Sequence, residues 1–402
     1  MTHPWAPSRC TRRCLHHVVA RRDLLGLALL LLSTLGATKI PTARGDERLA
    51  SPGRLRHVVV YSEPGRFGGW PANHGIWSWG NEILVGFSRG TFRDLGPERH
   101  AIDRDAPEEH LLARSLDGGE TWSLEFPAQE GSLIPVGKSL HGKTPPGLTE
   151  RPWSDSPGSL PFTHPDFAMT LRMTDVHLGP SRFYYSTDRG HHWLGPFRIP
   201  QLESHGVAAR TDYLVLDAQT CLLFLTASKA NQREGRPFLS RTDDGGRTWQ
   251  FTSWIGEEPA GYAIMPSTTR LKNGDLLTAI RCREGDRSWI ALYRSTDLGA
   301  TWREAGIPAP DLGEGNPASL ITLADGRVCL TYGHRAPPYG IHARLADERG
   351  EHWGPELLLR EAGGRDIGYP RSVQRSDGQI VTIYYLHDQP KSDRYIGATI
   401  WE

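Results

Sequence analysis

Cysteine is scarce in this chain, with five in 402 residues, and two of the five lie within the first 45. The other three, Cys221, Cys282 and Cys329, are too few and odd in number to make a disulfide framework, although one bridge is possible. Cys282 and Cys329 lie in or beside apolar, strand-like runs. That setting predicts two small core residues.

Other signatures are also missing. Helical periodicity is almost absent, which points to an all-β chain. The 17 histidines show no zinc-ligand spacing and no His-Glu-x-x-His, so no catalytic metal is implied. No Gly-x-Ser-x-Gly and no phosphate-binding loop occur, and we therefore expect no cofactor.

The charge balance gives no case for nucleic acid binding. Lys/Arg and Asp/Glu number 46 each, but residues 1–45 hold seven basic residues and one acidic residue. Residues 46–402 therefore carry 39 basic and 45 acidic residues, a net charge of −6. A mildly acidic body has no basic surface of the kind that nucleic acid requires.

The N-terminal segment is predicted to be a targeting signal. Arg21 and Arg22 precede an apolar run over residues 24–35 that is too short to span a bilayer. Paired arginines at this place resemble a twin-arginine export signal, and an uncleaved anchor is the alternative. We expect cleavage between Ala37 and Gly45, and a periplasmic or extracellular mature protein without a membrane span.

One eight-residue pattern recurs along the chain. Residues 295–302 read STDLGATW, and residues 115–122, 186–193 and 242–249 share the frame Ser/Thr-x-Asp-x-Gly-x-x-Trp. Residues 346–353 keep only Gly350 and Trp353. The closing tryptophans lie 71, 56, 53 and 51 residues apart, which is typical of repeat architectures. Each box is predicted to form a turn whose Trp packs between neighbouring sheets, and to carry no chemistry.

Between the boxes, a strand, an Asn-Gly or Asp-Gly pair and a second strand recur, which is a strong hairpin signal. Six four-stranded antiparallel sheets around one axis form a six-bladed β-propeller, the fold predicted for residues 46–402. The inner strands are expected to start at six positions: Trp70, His164, Arg210, Met265, Asn316 and Tyr369.

Two further segments complete the predicted fold. The sixth unit ends at Trp401, so the strand at residues 57–61 is expected to complete its sheet. Residues 126–161 are rich in Pro, Gly and Ser and show little alternation. We interpret them as an inserted loop that could overhang the central pocket.

Inner strands of a propeller converge at one end of the axis, so their starts and the residues just after their hairpin partners face a common pocket. Arg89, Arg281 and Arg335 follow second strands at equivalent places. Arginine in a concave site commonly binds a carboxylate or phosphate, with structural ion pairing as the alternative. His74 and His164 are further pocket candidates, although a hydrogen-bonded core histidine is the commoner outcome.

Repeated Asp boxes in a six-unit propeller resemble the sialidase superfamily, over most of the chain from about Val58 to Trp401. The resemblance implies an arginine triad that holds the carboxylate of the sugar, an Asp as acid/base, and a Tyr paired with a Glu as nucleophile. Site residues are carried over by motif position. Arg281 matches the second arginine and Arg335 the third, Tyr369 the nucleophile, and Asp103 the acid/base, with Asp105 as its rival.

The sequence departs from this pattern at two places. The first arginine of the family is replaced by Trp70, and the Glu expected before Pro266 is Met265. The sequence FRIP at residues 197–200 looks like the motif of the first arginine but lies just after the second box, so we set it aside. The candidates to replace the missing groups are Asp212, Glu234 or His74 for the Glu and Arg89 for the arginine.

Two functions are therefore open. The first is an exported, exo-acting glycoside hydrolase of sialidase type that removes terminal sialic or related acidic sugars from glycans. A neutral Tyr nucleophile suits such a sugar because a carboxylate nucleophile would approach a like charge at the anomeric carbon. The second is a non-catalytic propeller that binds glycans or a protein partner, since a fold does not fix a function.

Overall fold

The computed structural model describes residues 53–138, 141–202 and 204–402. The predicted export signal at residues 1–45 lies outside these ranges. Within them almost all regular structure is β-strand, because short runs of β-branched and aromatic residues alternate with Gly-rich turns. No helix in the described ranges has the length and apolar character needed to cross a membrane.

The strands are named in chain order. The first is β1 (Leu55–Tyr61), and the first blade contains β2 (Arg66–Gly69), β3 (Ile76–Trp79), β4 (Glu82–Thr91), β5 (Glu109–Ser115) and β6 (Ser123–Glu125), with the short helix α1 (Pro71–His74) between β2 and β3. The second blade contains β7 (Ala168–Met173), β8 (Ser181–Ser186) and β9 (Leu194–Ile199), and the third contains β10 (Val207–Ala208), β11 (Tyr213–Val215), β12 (Cys221–Ser228), β13 (Glu234–Thr242) and β14 (Gln250–Trp254).

The fourth blade contains β15 (Tyr262–Arg270), β16 (Leu276–Glu284), β17 (Arg287–Ser295) and β18 (Arg303–Ala309). The fifth contains β19 (Ala318–Thr322), β20 (Val328–His334), β21 (Gly340–Ala346) and β22 (Leu357–Glu361), and the sixth contains β23 (Gly368–Gln374), β24 (Ile380–Leu386), β25 (Tyr395–Trp401) and β1. A 3-10 turn spans Pro127–Glu130.

These strands form six antiparallel sheets, which confirms the predicted six-bladed propeller. The inner position of the first blade is shared by β2 and β3, on either side of α1, and that of the third blade by β10 and β11. Both interruptions fall at the predicted strand starts, near Trp70 and Arg210. The chain leaves the sheet there, which brings these residues to the pocket end of the axis.

The propeller closes by pairing the two ends of the folded chain. β1 runs antiparallel to β25, with Leu55 opposite Trp401 and Val58 opposite Ala398. The predicted completion of the sixth sheet by the N-terminal strand is therefore confirmed. The sixth blade thus takes its outer strand from the N-terminal side of the propeller and its other three strands from the C-terminal end.

Each Asp box joins its own blade to the preceding one. In the fourth blade the Ser295 hydroxyl accepts the N–H of Gly299 at 2.7 Å, and Asp297 Oδ1 accepts the N–H of Thr301 at 2.9 Å. Trp302 packs in the apolar cluster between the third and fourth blades. Gly299 has φ +90 and lies so close to Leu239 that a Cβ there would overlap it, so only glycine fits.

The other four box tryptophans occupy the corresponding clusters between neighbouring blades: Trp122, Trp193, Trp249 and Trp353. The boxes therefore stabilise the interfaces between blades, as their residue types indicate. Cys221, Cys282 and Cys329 are buried and free, so no bridge forms in the described part of the chain.

The segment at residues 126–161 lies partly along the edge of the second blade, which has three strands. Ser154 forms a parallel bridge with Phe197 at the outer strand β9. The buried Glu150 accepts hydrogen bonds from Arg182 and from the Tyr184 hydroxyl. Near its middle, the same segment brings His141 to the pocket end of the axis.

Replacing Ser295 by alanine is expected to destabilise the protein by about 1–3 kcal/mol, because the buried N–H of Gly299 then lacks an acceptor. Urea denaturation measures the loss. In the matched control Ser156→Ala, the lost hydroxyl accepts only the exposed N–H of Gly158, so a change below about 0.5 kcal/mol is expected. Equal losses in the two variants would contradict a role for the box in stability.

Candidate functional site

The inner strand positions of three blades share the same backbone distortion. Trp70, Met265 and Tyr369 each precede a proline and have φ of 59°, 56° and 51°. A side chain before proline normally avoids this left-handed conformation, so the surroundings must hold it. At the fourth and sixth blades the distortion is a bulge in the inner strand, between Ile264 and Ser267 and between Gly368 and Arg371.

The bulge at Tyr369 is held by the neighbouring blade. The fully buried Asn316 accepts the N–H of Tyr369 at 2.9 Å and donates to the carbonyl of Ile367 at 2.9 Å. Gly368, at φ +105, lies against the Asn316 amide, where a Cβ would overlap it. The side chain of Tyr369 is thereby fixed at the end of the axis, where it packs near Met265 and Ala72.

The hydroxyl of Tyr369 lies beside Arg281. Arg281 Nη1 donates to the Tyr369 hydroxyl at 3.2 Å, and Arg281 Nη2 donates to the Tyr262 hydroxyl at 3.1 Å. Met265 Sδ, at the place of the family's Glu, lies 3.9 Å from Arg281 Nη1. These four residues are named the Tyr369 site. No carboxylate within the described ranges lies within 4 Å of the Arg281 guanidinium, so its charge is not neutralised by a close partner.

Arg335 lies against the face of the Tyr369 ring, with Cζ 5.5 Å from the ring centroid. It is only 6% exposed, and its donors are used within the protein. Nε and Nη2 bond the carbonyl of Ile367, Nη1 bonds that of Gly315, and Nη2 also bonds the Tyr385 hydroxyl at 2.8 Å. Arg335 therefore supplies charge and support to the tyrosine rather than free donors for a ligand.

Burial alone would raise the pKa of the Tyr369 phenol. The opposing effect of nearby cations is larger, and the pKa of Tyr369 is lowered from its ordinary value of 10. The cations are the guanidinium groups of Arg281, Arg335 and Arg210, and Arg281 adds its hydrogen bond. A phenol whose ionised form is favoured is a better nucleophile than an ordinary tyrosine.

Arg210 enters the site from the third blade. It forms an ion pair with Glu234, with Nη2 3.2 Å from Oε2, and its Nε donates to Asn73 Oδ1 at 3.2 Å. Glu234, a predicted substitute for the missing Glu, thus reaches Tyr369 only through the guanidinium of Arg210. The sequence offered a signal for Arg210, because its position is a predicted inner-strand start, as is that of Tyr369.

The structure places three predicted residues in contacts away from the Tyr369 hydroxyl. Arg89 pairs with Glu109, with Nη2 2.7 Å from Oε2, and with Glu63. Asp103 accepts the N–H of Asp105 at 3.0 Å and a hydrogen bond from Arg93 at 3.3 Å.

These contacts bear on the role expected for Asp103. The backbone hydrogen bond from Asp105, followed by Arg93, holds the pKa of Asp103 below its ordinary value, which disfavours the protonated form that a general acid needs. Its predicted rival Asp105 has a side chain that is 79% exposed and lies 3.6 Å from Lys143.

His74 and Asp212 are buried, and His164 is exposed. The His74 Nε2 lies 3.0 Å from the Ser88 hydroxyl, and burial holds the pKa of His74 well below 6.5. His164 caps its own turn by accepting the N–H of Asp166 at 3.2 Å. Asp212 accepts the N–H of Thr268 at 3.3 Å and lies near Arg371.

Trp70 fills the place of the family's first arginine with an aromatic wall. Its ring stacks on His141 at 4.1 Å between centroids and meets the edge of His100 at 5.2 Å. The N–H groups of His141 and Gly142 donate to the buried Glu108 at 2.8 and 3.0 Å. Sequence reasoning missed Glu108 because it considered inner-strand starts and second-strand ends, whereas Glu108 precedes a third strand.

Residues 169–382 match the family model described as BNR repeat-like domain. The chain belongs to this family. The resemblance to sialidase-type Asp-box propellers is confirmed by that match and by the solved structures that follow. No curated protein matches the chain.

Several solved structures share the fold of this BNR repeat-like chain. A Dyadobacter fermentans protein of unknown function is 20% identical, with 87% of this chain and 99% of that chain covered and a TM-score of 0.64. The NanB sialidase of Streptococcus pneumoniae is 12% identical (82% and 67% covered, TM-score 0.54). An α-L-arabinanase of Penicillium chrysogenum is also 12% identical (85% and 97% covered, TM-score 0.54). The fold is thus one that glycoside hydrolases of different specificity use.

No group of three or more His, Cys, Asp or Glu side chains in the described ranges is placed to hold a metal ion. The Tyr369 site instead consists of phenols, guanidinium groups and a thioether. Such a set can bind an anionic group, favour a phenolate and exclude water with its aromatic walls.

Asp212 gives the site a pH-dependent stability. Burial raises its pKa to about 7, although Arg371 opposes the shift, so the folded protein retains a proton that an unfolded Asp loses near pH 4. Relative to Asp212→Asn, the wild type is expected to lose up to about 4 kcal/mol of unfolding free energy as the pH rises from 4 to 8. Denaturant titrations of both proteins across that range measure the difference. A difference that does not change with pH would contradict the buried, protonated carboxyl.

Proposed function

We propose that this protein is a glycoside hydrolase that removes terminal sugars carrying a carboxylate from glycans. The observation that carries the proposal is the hydroxyl of Tyr369, 3.2 Å from Arg281 Nη1 and with a pKa lowered by three guanidinium groups. An enzyme that attacks an anionic sugar needs a nucleophile that is neutral in its resting state and activated by cations.

Arg281 is the proposed carboxylate ligand. Its guanidinium lies between two phenols and a thioether, none of which neutralises it. A planar guanidinium without a close acidic partner forms charge-assisted hydrogen bonds to a carboxylate. The replacement of the family's Glu by Met265 supports the same role, because it leaves the charge of Arg281 to the ligand.

In the proposed reaction, the Tyr369 oxygen forms a bond to the anomeric carbon while the glycosidic bond breaks. The phenolic proton of the resting, neutral Tyr369 passes to solvent when the nucleophile is activated, and the arginines stabilise the resulting phenolate, so a neighbouring carboxylate base is not required. The departing oxygen takes a proton from a general acid, and water later displaces the tyrosine. Asp103 is the sequence-based candidate for acid/base, and its lowered pKa suits the base step better than the acid step.

A second candidate function, glycan binding without catalysis, is favoured by one observation. The described part of the chain shows no carboxyl group hydrogen-bonded to Tyr369, and Asp103 is paired with Arg93. In this alternative Arg281 and the aromatic walls hold an acidic sugar without cleaving it.

Export of the protein by a twin-arginine signal is a separate proposal that rests on residues 1–45.

Replacing Tyr369 by phenylalanine is expected to lower kcat/KM by about 10³-fold or more, because the nucleophilic oxygen is lost while the ring remains. The assay uses 4-methylumbelliferyl glycosides of sialic acid, glucuronic acid and arabinofuranose. Only the two acidic glycosides are expected to be hydrolysed. The matched control is Tyr384→Phe in the same blade, whose buried hydroxyl contacts Thr399 and lies outside the site.

The outcomes separate the candidates. Hydrolysis of the arabinofuranoside alone would refute the carboxylate assignment. Absence of turnover with all three substrates, combined with retained binding of acidic glycans, would replace the hydrolase by the binding module. Equal losses in the Tyr369 and Tyr384 variants would show damage to the fold rather than to the reaction.

A further inference from the structure

A small polar pocket opens beside Trp70, between the first and second blades. We name it the Arg172 pocket; its lining includes Asn73, His74, Glu108, His110, His141 and Arg172. The volume of this pocket is about 40 Å³, which accommodates roughly three water-sized groups. A whole sugar does not fit this space, but the terminal oxygens of one carboxylate or sulfate group do.

Arg172 lies on the inner strand β7 and is only 5% exposed. Its Nε donates to the Thr170 hydroxyl at 3.0 Å, and its Nη1 contacts His74 Nδ1 and lies 3.2 Å from His110 Nδ1. Its Nη2 is buried and has no hydrogen-bond partner. No carboxylate in the described ranges lies within 4 Å of this guanidinium.

The two histidines that contact Arg172 are neutral acceptors. Because each Nδ1 faces an N–H donor, the ring proton lies on Nε2, which in His74 points to the Ser88 hydroxyl. Burial and the charge of Arg172 keep the pKa of His74 well below 6.5, and burial lowers that of His110 to about 4. The imidazoles therefore satisfy N–H groups of Arg172 without neutralising it.

The nearby carboxylate of Glu108 has partners other than Arg172. One carboxylate oxygen accepts the N–H groups of His141 and Gly142, and the other faces His110 Nε2 at 3.8 Å. The ring of His110 thus lies between Glu108 and Arg172. A buried guanidinium in this position is costly unless an anion completes its hydrogen bonds.

We propose that the Arg172 pocket binds a carboxylate or sulfate group of the glycan, separately from the group held by Arg281. The inference rests on the proposed function in so far as the ligand is a glycan. Asn73 lines the pocket and accepts a hydrogen bond from Arg210, whose charge acts on Tyr369. The two anion positions are therefore connected along one side of the site, and the substrate class is a glycan with anionic groups on more than one sugar.

The first test uses wild-type crystals soaked in sodium selenate, an anomalously scattering analogue of sulfate, or in glucuronate. We expect a selenate oxygen, or an oxygen of the glucuronate carboxylate, within hydrogen-bond distance of Arg172 Nη2. Electron density of ordered water alone in both soaks would overturn the proposal. Selenate without glucuronate would identify the group as sulfate, and glucuronate without selenate would identify it as carboxylate.

The second test measures binding in solution by calorimetry with uronic acid disaccharides that carry one or two carboxylates. Arg172→Gln is expected to weaken binding of the dicarboxylate by about tenfold or more and to leave the monocarboxylate unchanged. The matched control Arg294→Gln removes a buried arginine that pairs with Asp275 in the fourth blade, and no change is expected. Equal weakening in both variants would count against the pocket.

Neither test depends on turnover. Anion binding in the Arg172 pocket without hydrolysis of any glycoside would reject the catalytic proposal alone. Hydrolysis of acidic glycosides with only water in the pocket would reject the second anion position alone. If Arg172→Gln does not fold, the wild-type soaks still decide the question.

Discussion

The site depends on one hydrogen-bonded side chain that crosses between blades. Asn316 holds the N–H of Tyr369 and the carbonyl of Ile367, and thereby keeps the tyrosine in a left-handed conformation next to a proline. Such a conformation costs of order 1–3 kcal/mol and persists only where its surroundings fix it. This conformation places the phenol of Tyr369 beside Arg281, with the hydroxyl 3.2 Å from Nη1. The boxes matter to function because they fix the interfaces between blades across which Asn316 acts.

The second constraint is electrostatic. Arg172, Arg281 and Arg335 are buried or partly buried at the pocket end, and none has a carboxylate within 4 Å in the described ranges. The buried arginines Arg182 and Arg294, which lie outside the site, differ from these three because each forms an ion pair with an acidic side chain. Unneutralised guanidinium groups in a low-dielectric pocket favour an anionic ligand and an ionised phenol together. In the proposed function, the same charges serve both ligand binding and activation of Tyr369.

The fold could be predicted because its signals are local. A box such as residues 295–302 closes its own turn, and its tryptophan reports the interface with the preceding blade. Hairpin signals then fixed the inner strands, and Tyr369 and Arg281 could be expected at one pocket. The hydrogen-bond partners of the site residues could not be predicted from the sequence. Contacts such as Arg210 to Asn73 and Arg172 to His110 join side chains that are 137 and 62 residues apart in the chain. The position of Arg172 is nevertheless recognisable in the sequence, because it is the one charged residue in the strand Ala168–Met173.

The two departures from the sialidase pattern are best understood as one change. Replacing the family's first arginine by Trp70 removes a cation on the side of the first blade, and replacing the Glu by Met265 removes an anion on the side of the fourth. These two replacements together leave the net charge unaltered, and Met265 leaves Arg281 without the acidic neighbour that the pattern would supply. Trp70 and His141 form an aromatic wall at the place where the sialidase pattern has a charge. In the proposed function, an acidic sugar meets this wall instead of a third arginine, so its ring would lie against Tyr369 differently than in the sialidase pattern.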